Sequence, residues 1–366
     1  MVTNLYQWGI IYDSQSQKRI KCHVPTKTTI NQRLEGNLEQ VACGTNFTVV
    51  LDSNHRVYVV GDEPKYGRLG QGDDKTIVPT LTLIKGRLPP IGFISSGPST
   101  TILLTTDKRE LWGFGKGIGY LPKQILQKRR FNRDGFTTEW ISVYQLSDDN
   151  DKIQHIDICS FVNGFIIEQG HIYLWGSTVP YGKISDQENF RNITINNPIR
   201  KDLINNNNNN DRPIKISLSR GQFHAHILLL TEQGCIYLMG SNYKAKLGID
   251  IDHIFTGEWT LIELTRTSPF KMIAAGGIHS SALSTDGRVF TWGCGSDGRL
   301  GHAEVQDHRY LYKEHESRSI DLLNNQQVLS ISTSYYSYGS YCCSIEKIIY
   351  LKKTKTFFYQ RVCLFS

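Results

Sequence analysis

A chain of 366 residues, 39% hydrophobic and 20% charged, is long enough to bury a substantial core, and it contains no apolar run long enough to cross a bilayer as a helix. Its 41 Lys and Arg against 34 Asp and Glu leave a formal net charge of +7, which favours acidic partners. Eight cysteines without a CxxC pair fit neither a disulfide framework nor a zinc module, and MVTNLYQWGIIYDSQSQKR lacks the build of a secretory signal, so reduced thiols and a cytoplasmic or nuclear setting are expected.

Taken from the N-terminus, the predicted elements repeat one another. LYQWG closes a first strand at Gly9. ACGTNFTVVL, with Gly44, and VYVVG, ending at Gly61, form two strands linked through Asp52 to His55. SSGPSTTILL, with Gly97, and LWGFG, ending at Gly115, do the same around Asp107-Lys108. ICSFVNGFII has Ser160 in the glycine place and leads through Gln169-Gly170 to IYLWG at Gly176. SRGQFHAHILLL, with Gly221, leads through Gln233-Gly234 to IYLMG at Gly240. AGGIHSSAL, with Gly276, leads to VFTWG at Gly293 through Asp286-Gly287, a pair that reads as a type I′ turn with positive φ at both residues. A worn copy, STSYYSYGSYCCSI followed by IYLKK, spans about 333 to 353.

Successive anchor glycines lie 52, 54, 61, 64 and 53 residues apart, a spacing that fits one small supersecondary unit per repeat. After the anchor, three units continue with a second turn: KYGRLGQGD at 65–73, NYKAKLGID at 242–250 and SDGRLGHAE at 296–304. Such a turn feeds a further outer strand, giving three or four strands per repeat. No segment has convincing helical periodicity, so the fold class is all-β. Small sheets of this kind bury both faces only against neighbours, which points to sheets set around an axis in a single domain over 1–366. Two segments between repeats are long: 120–152, basic at its start and acidic at its end, and 183–213, whose six asparagines at 205–210 lack apolar surface to order them.

The paired stretches AGGIHSSALSTDGRVFTWGCGSDGRLG and ACGTNFTVVLDSNHRVYVVGDEPKYGRLGQGD resemble the repeats of the regulator of chromosome condensation family. The resemblance covers most of the chain and implies a seven-bladed β-propeller. Seven WG-type anchors agree with seven blades, while only six first-strand anchors are present. The blade holding Trp8 and Gly9 therefore draws its missing strands from the C-terminus, where TKTFFYQRVCLFS suffices for one, and the closure of the ring stays open.

For function, the resemblance implies a scaffold that binds a protein partner through loops on its rim, or else a guanine-nucleotide exchange factor for a small Ran-like GTPase. Exchange makes and breaks no covalent bond, and no GxxxxGK[ST] phosphate loop, cofactor motif or metal-ligand spacing is present. His224 and His279, each three residues after a first-strand glycine, are the candidates for a polar partner-binding face; the alternative is that they pack between blades. Lys128, Arg129, Arg130 and Arg133 form a basic cluster that either engages an acidic partner or keeps the surface solvated. Nucleic acid or chromatin is the weaker partner class, because no aromatic interleaving accompanies the basic segments. The expected state is a monomer.

Overall fold

Runs of aliphatic and β-branched residues alternate with turn residues along the chain, and they form strands. The computed structural model describes residues 6–13, 18–27, 36–44, 46–116, 136–159, 162–179, 193–203, 211–219, 225–249, 255–262, 268–295 and 313–321, with Leu300, His302, Val328, Ile331 and Thr333. β1 (Tyr6–Asp13) and β2 (Lys18–Lys27) pair antiparallel as a two-stranded sheet.

Five four-stranded sheets follow, each built from strands consecutive in sequence. The first holds β3 (Leu38–Gly44), β4 (Phe47–Asp52), β5 (Val57–Gly61) and β6 (Val78–Leu83). The second holds β7 (Ile91–Ser96), β8 (Thr100–Thr105), β9 (Glu110–Lys116) and β10 (Phe136–Gln145). The third holds β11 (Ile153–Ile158), β12 (Val162–Ile167), β13 (Ile172–Val179) and β14 (Ile193–Arg200). The fourth holds β15 (Pro213–Leu218), β16 (His226–Thr231), β17 (Ile236–Ser241) and β18 (Phe255–Leu261). The fifth holds β19 (Phe270–Ala275), β20 (His279–Ser284), β21 (Val289–Cys294) and β22 (Lys313–Ser319).

The expected hairpins between 44 and 293 are the two middle strands of these sheets. The worn copy at 333–353 lies outside the described residues apart from Thr333. The long segments 120–152 and 183–213 contain the outer strands β10 and β14, and the asparagine run at 205–210 lies outside the described residues. Second strands β4, β8, β12, β16 and β20 are buried along their whole length, because both faces and both edges are covered. This is why TVVL, TILL, GFII and ILLL read as unbroken apolar runs instead of alternating ones.

The expected type I′ turn at Asp286-Gly287 is replaced by another geometry. Gly287 N–H donates to Ser284 C=O at 3.1 Å, Ser284 N–H donates to Arg288 C=O at 2.9 Å, and of the Asp286-Gly287 pair only Gly287 has positive φ, at 93°. This is a three-residue loop closed by one left-handed residue, which matches the strand twist without requiring two. The same place is taken by His55, Lys108, Gly170 and Gly234, with φ of 61°, 62°, 85° and 84°. Side chains secure the first of these turns: the buried Asp52 carboxylate accepts from Asn54 N–H, Arg56 N–H, the Arg56 guanidinium and Tyr58 O–H.

The chain divides into two compact units, one running through Met1–Ile153 and the other built mainly from Phe161–Ile348. In the first, Phe47, Val49, Leu69, Ile94, Leu103 and Phe114 join sheets one and two in one core. In the second, Leu228, Leu238, Leu247, Phe270, Phe290 and Trp292 join sheets four and five. Side-chain bonds reinforce these seams. The Gln40 amide brackets Ile94, accepting from its N–H at 2.9 Å and donating to its C=O at 2.7 Å. Ser217 Oγ accepts from Ala275 N–H at 3.0 Å. On the outer strands Trp140 Nε1 donates to Lys85 C=O at 2.8 Å and Trp259 Nε1 donates to Lys201 C=O at 2.9 Å, each reaching back to the preceding sheet. Among the described residues no helix is long and apolar enough to cross a membrane.

Candidate functional site

Each four-stranded sheet has one spare edge and one elaborated edge. The second and third strands are joined by four residues every time, at 53–56, 106–109, 168–171, 232–235 and 285–288. At the opposite edge the third and fourth strands are joined by 62–77, 117–135, 180–192, 242–254 and 295–312, between 13 and 19 residues each. The anchor glycines stand where the third strand meets this edge. Gly115, Gly176, Gly240 and Gly293 have φ between 100° and 136°, and each falls at a break in the pairing register with the outer strand. At Gly293 a Cβ would also lie 2.8 Å from His279 Cα and 2.9 Å from Ile278 O, so both conformation and space require glycine.

The turn that follows docks on the next sheet. In KYGRLG the residues Tyr66 and Gly67 have φ of 66° and 67°; in NYKAKLG the equivalent Lys244 and Ala245 have 65° and 61°. Leu69 and Leu247 are fully buried. Gly248 sits against the Trp292 indole, where a Cβ would lie 2.7 Å from the ring, and Gly70 sits against the Phe114 ring, where a Cβ would lie 3.1 Å away. Trp292 Nε1 donates to Lys246 C=O at 3.0 Å. The aromatic before the anchor glycine and the Leu-Gly of the preceding repeat are therefore two halves of one contact.

Beneath this edge in the second unit lies a cluster of bases. His226 pairs opposite Gly240, and His279 opposite Gly293. Both are buried, as is Lys246, which is 0% exposed. The Ser280 hydroxyl donates to Lys246 C=O at 2.8 Å and lies 2.8 Å from His226 Nε2. Burial draws the Lys246 pKa down to about 7. Burial, and after it the charges of Lys246 and His279, hold His226 well below the ordinary imidazole value. Burial thus disfavours the charged forms of Lys246 and His226, and all three side chains face packed protein, leaving no access for a substrate.

Strand register corrects one sequence equivalence. Counted from Gly221, His224 matches His279; counted by pairing, the place opposite the anchor glycine belongs to Phe47, Thr100, Val162, His226 and His279. The first-to-second connection of the fourth sheet, 219–225, is longer than its counterparts and displaces the count. His224 and Gly221 lie outside the described residues, as do Lys128, Arg129, Arg130 and Arg133. His279 is 2% exposed, and its imidazole covers Gly276 just as Phe47 covers Gly44, which supports the packing alternative. Gly61 and Gly97 are likewise close-packed, against Phe47 and Cys159 respectively. Cys159 and Cys294 are buried and Cys235 is half-buried.

Comparison with known proteins matches this repeat. The regulator of chromosome condensation (RCC1) repeat describes residues 286–335, and a second model of the same repeat describes 39–68 and 271–299. Two separate stretches of the chain, 39–68 and 271–335, thus match the regulator of chromosome condensation repeat. It is 36% identical over 90 residues to the E3 ubiquitin-protein ligase HERC2 of Homo sapiens, a match that takes in 25% of this chain and 2% of that protein. To the regulator of chromosome condensation of Xenopus laevis it is 26% identical over 310 residues, 80% of this chain and 67% of that one. The chain thus spans only a small part of the first of these relatives. Yeast Prp20, in its complex with Kap60, superposes with a TM-score of 0.67 at 16% identity, over 90% of this chain and 74% of that one. The fold is a β-propeller, and the four-stranded sheets are its blades.

Proposed function

We propose that the chain is a protein-interaction scaffold: one propeller over 1–366 that engages a protein partner through the long connections at the elaborated edge of its blades. The observation that carries this reading is the asymmetry of the sheets. Four-residue turns recur at one edge, while connections of 13 to 19 residues, different in sequence, occupy the other. Specificity in repeat folds resides where loops vary over a constant framework. The longest connection, 117–135, holds Lys123, Lys128, Arg129, Arg130 and Arg133 against Asp134 alone, which fits an acidic partner surface.

The test is capture of a partner from a cell extract, with identification by mass spectrometry, using intact protein and a variant with K128E, R129E, R130E and R133E. A partner held by the intact protein and lost by the variant supports the reading; a variant that retains every partner overturns the role of the basic segment.

A second reading is nucleotide exchange on a small GTPase. It is favoured by the likeness to Prp20p, whose structure is described with its binding properties to Gsp1p and histones. On this reading His224 and His279 shape the exchange face, His279 from beneath the surface. Release of a fluorescent guanine nucleotide from candidate GTPases, with intact protein and with H224A/H279A, decides it. No acceleration by the intact protein ends the exchange reading, and acceleration retained by the double variant removes the histidines from it.

A further inference from the structure

Resting on the scaffold reading, we propose that the turn around Tyr66 is a docking point for an acidic polypeptide segment of the partner. Tyr66 stands between the described ends of two connections. Lys65 Nζ lies 5.0 Å from the ring centroid, Lys116 Nζ 4.3 Å and the Arg68 guanidinium 5.6 Å. Phe136 meets the ring edge-on at 5.8 Å between centroids. Lys116 and Phe136 are the residues from which the basic connection 117–135 leaves and to which it returns.

Three features select this place. Lys65 and Lys116 are exposed, and neither ammonium has an ion-pair partner among the described residues, whereas Arg68 is buried and donates from Nε to Lys65 C=O at 2.9 Å. Like charges gathered on one ring repel each other, and a carboxylate between them removes that repulsion. Tyr66 itself has φ of 66°, a conformation a tyrosine rarely adopts, and Gly67 beside it shows that glycine is available to this turn. A bulky aromatic held in that conformation is explained if its ring is in use. The second unit repeats the composition: Tyr243, 47% exposed, and Lys244, with Nζ 5.7 Å from the Tyr243 centroid, occupy the same turn in reversed order. A tyrosine with adjacent cations is the make-up of a protein-binding hot spot, and a phosphate backbone would call for a longer basic track than two lysines, from a turn and a strand end, over one ring.

The experiment uses the full chain and a fluorescein-labelled peptide of about fifteen residues rich in Glu. Binding is read by anisotropy at two salt concentrations, for the intact protein, K65E/K116E and Y66G. Both variants are expected to weaken binding by about tenfold, K65E/K116E with loss of most of the salt dependence. Y66G is expected to melt no lower than the intact protein, since glycine relieves the backbone. Unchanged affinity in K65E/K116E overturns the proposal, as does tighter binding of a single-stranded oligonucleotide of equal charge. If K65E/K116E binds the peptide normally while the variant altered at 128–133 loses its captured partner, the docking point is wrong and the scaffold reading stands.

Discussion

Replacing Lys246 by Met tests whether the cluster under the second unit's elaborated edge is as dry as its packing shows. Lys246 is 0% exposed, and burial is the cause that draws its pKa from 10.5 to about 7. Between those values the unfolded chain holds the proton and the folded chain does not, so stability rises with pH across this window. Below about 7 the charge is present in both states and its burial costs the full amount. At about 1.4 kcal/mol for each pH unit of the gap, the ceiling is about 5 kcal/mol. Relaxation of the turn and water entry lower this, and we expect about 2 kcal/mol to be gained by the intact protein relative to K246M between pH 7 and pH 9.5. Met keeps the length and the apolar stem, so the contacts of Leu247 and Gly248 survive. Urea unfolding of both proteins at a series of pH values is the assay, and the difference between the two curves removes every other titrating group. K246M should be the more stable near neutrality, and its advantage should shrink as pH rises. A difference that stays constant with pH would show that the ammonium reaches water, and the reasoning from burial would fail.

Lys108→Gly should stabilise by roughly 0.5–1 kcal/mol in urea, because Lys108 is exposed and holds φ of 62° where glycine is at ease; a loss of stability would show that its side chain matters more than the backbone angle. Gly293→Ala should cost about 2–4 kcal/mol, since the new methyl group meets the His279 and Ile278 backbones at a φ of 101°. A neutral outcome by thermal melting would mean that this junction is looser than described. Trp140→Phe keeps most of the ring packing but loses the bond to Lys85 C=O, so a drop of about 1 kcal/mol is expected, and an unchanged midpoint would assign that seam to packing alone.

Sequence conveyed the middle of each sheet well and its margins poorly, for physical reasons visible at single residues. VFTWG and IYLMG announce themselves because a strand buried on both faces, ended by a glycine with positive φ, leaves few residue choices. Outer strands β10 and β14 carry a weak signal, as FTTEWISVYQ mixes polar and apolar residues on a half-covered surface and ITINNPIR contains a proline. Asp286-Gly287 marks the turn without fixing its type, because Asp-Gly serves both a two-residue loop and the left-handed close of a three-residue one. Counting from a glycine points to His224, whereas strand pairing sets His226 opposite Gly240. Lys246 is buried although lysine in a sequence signals surface. Its signal was available: stacking GRLG, AKLG and GRLG places Arg68, Lys246 and Arg299 in one column, and a basic residue locked between two constrained neighbours is a poor candidate for solvent.

The seating of each Leu-Gly turn on the sheet that comes after it sets an order of events at the ribosome. Gly70 rests on Phe114, and Gly72 N–H donates to Thr138 C=O at 3.0 Å, so the turn made first has no seat until the following sheet has emerged. At translation rates this is a wait of roughly three to ten seconds. During it Leu69, destined for complete burial, is exposed on the nascent chain, as Leu247 is until Trp292 arrives. A ribosome stalled within either interval therefore displays an unfinished edge with an apolar tip, a form recognisable to chaperones and to neighbouring chains alike.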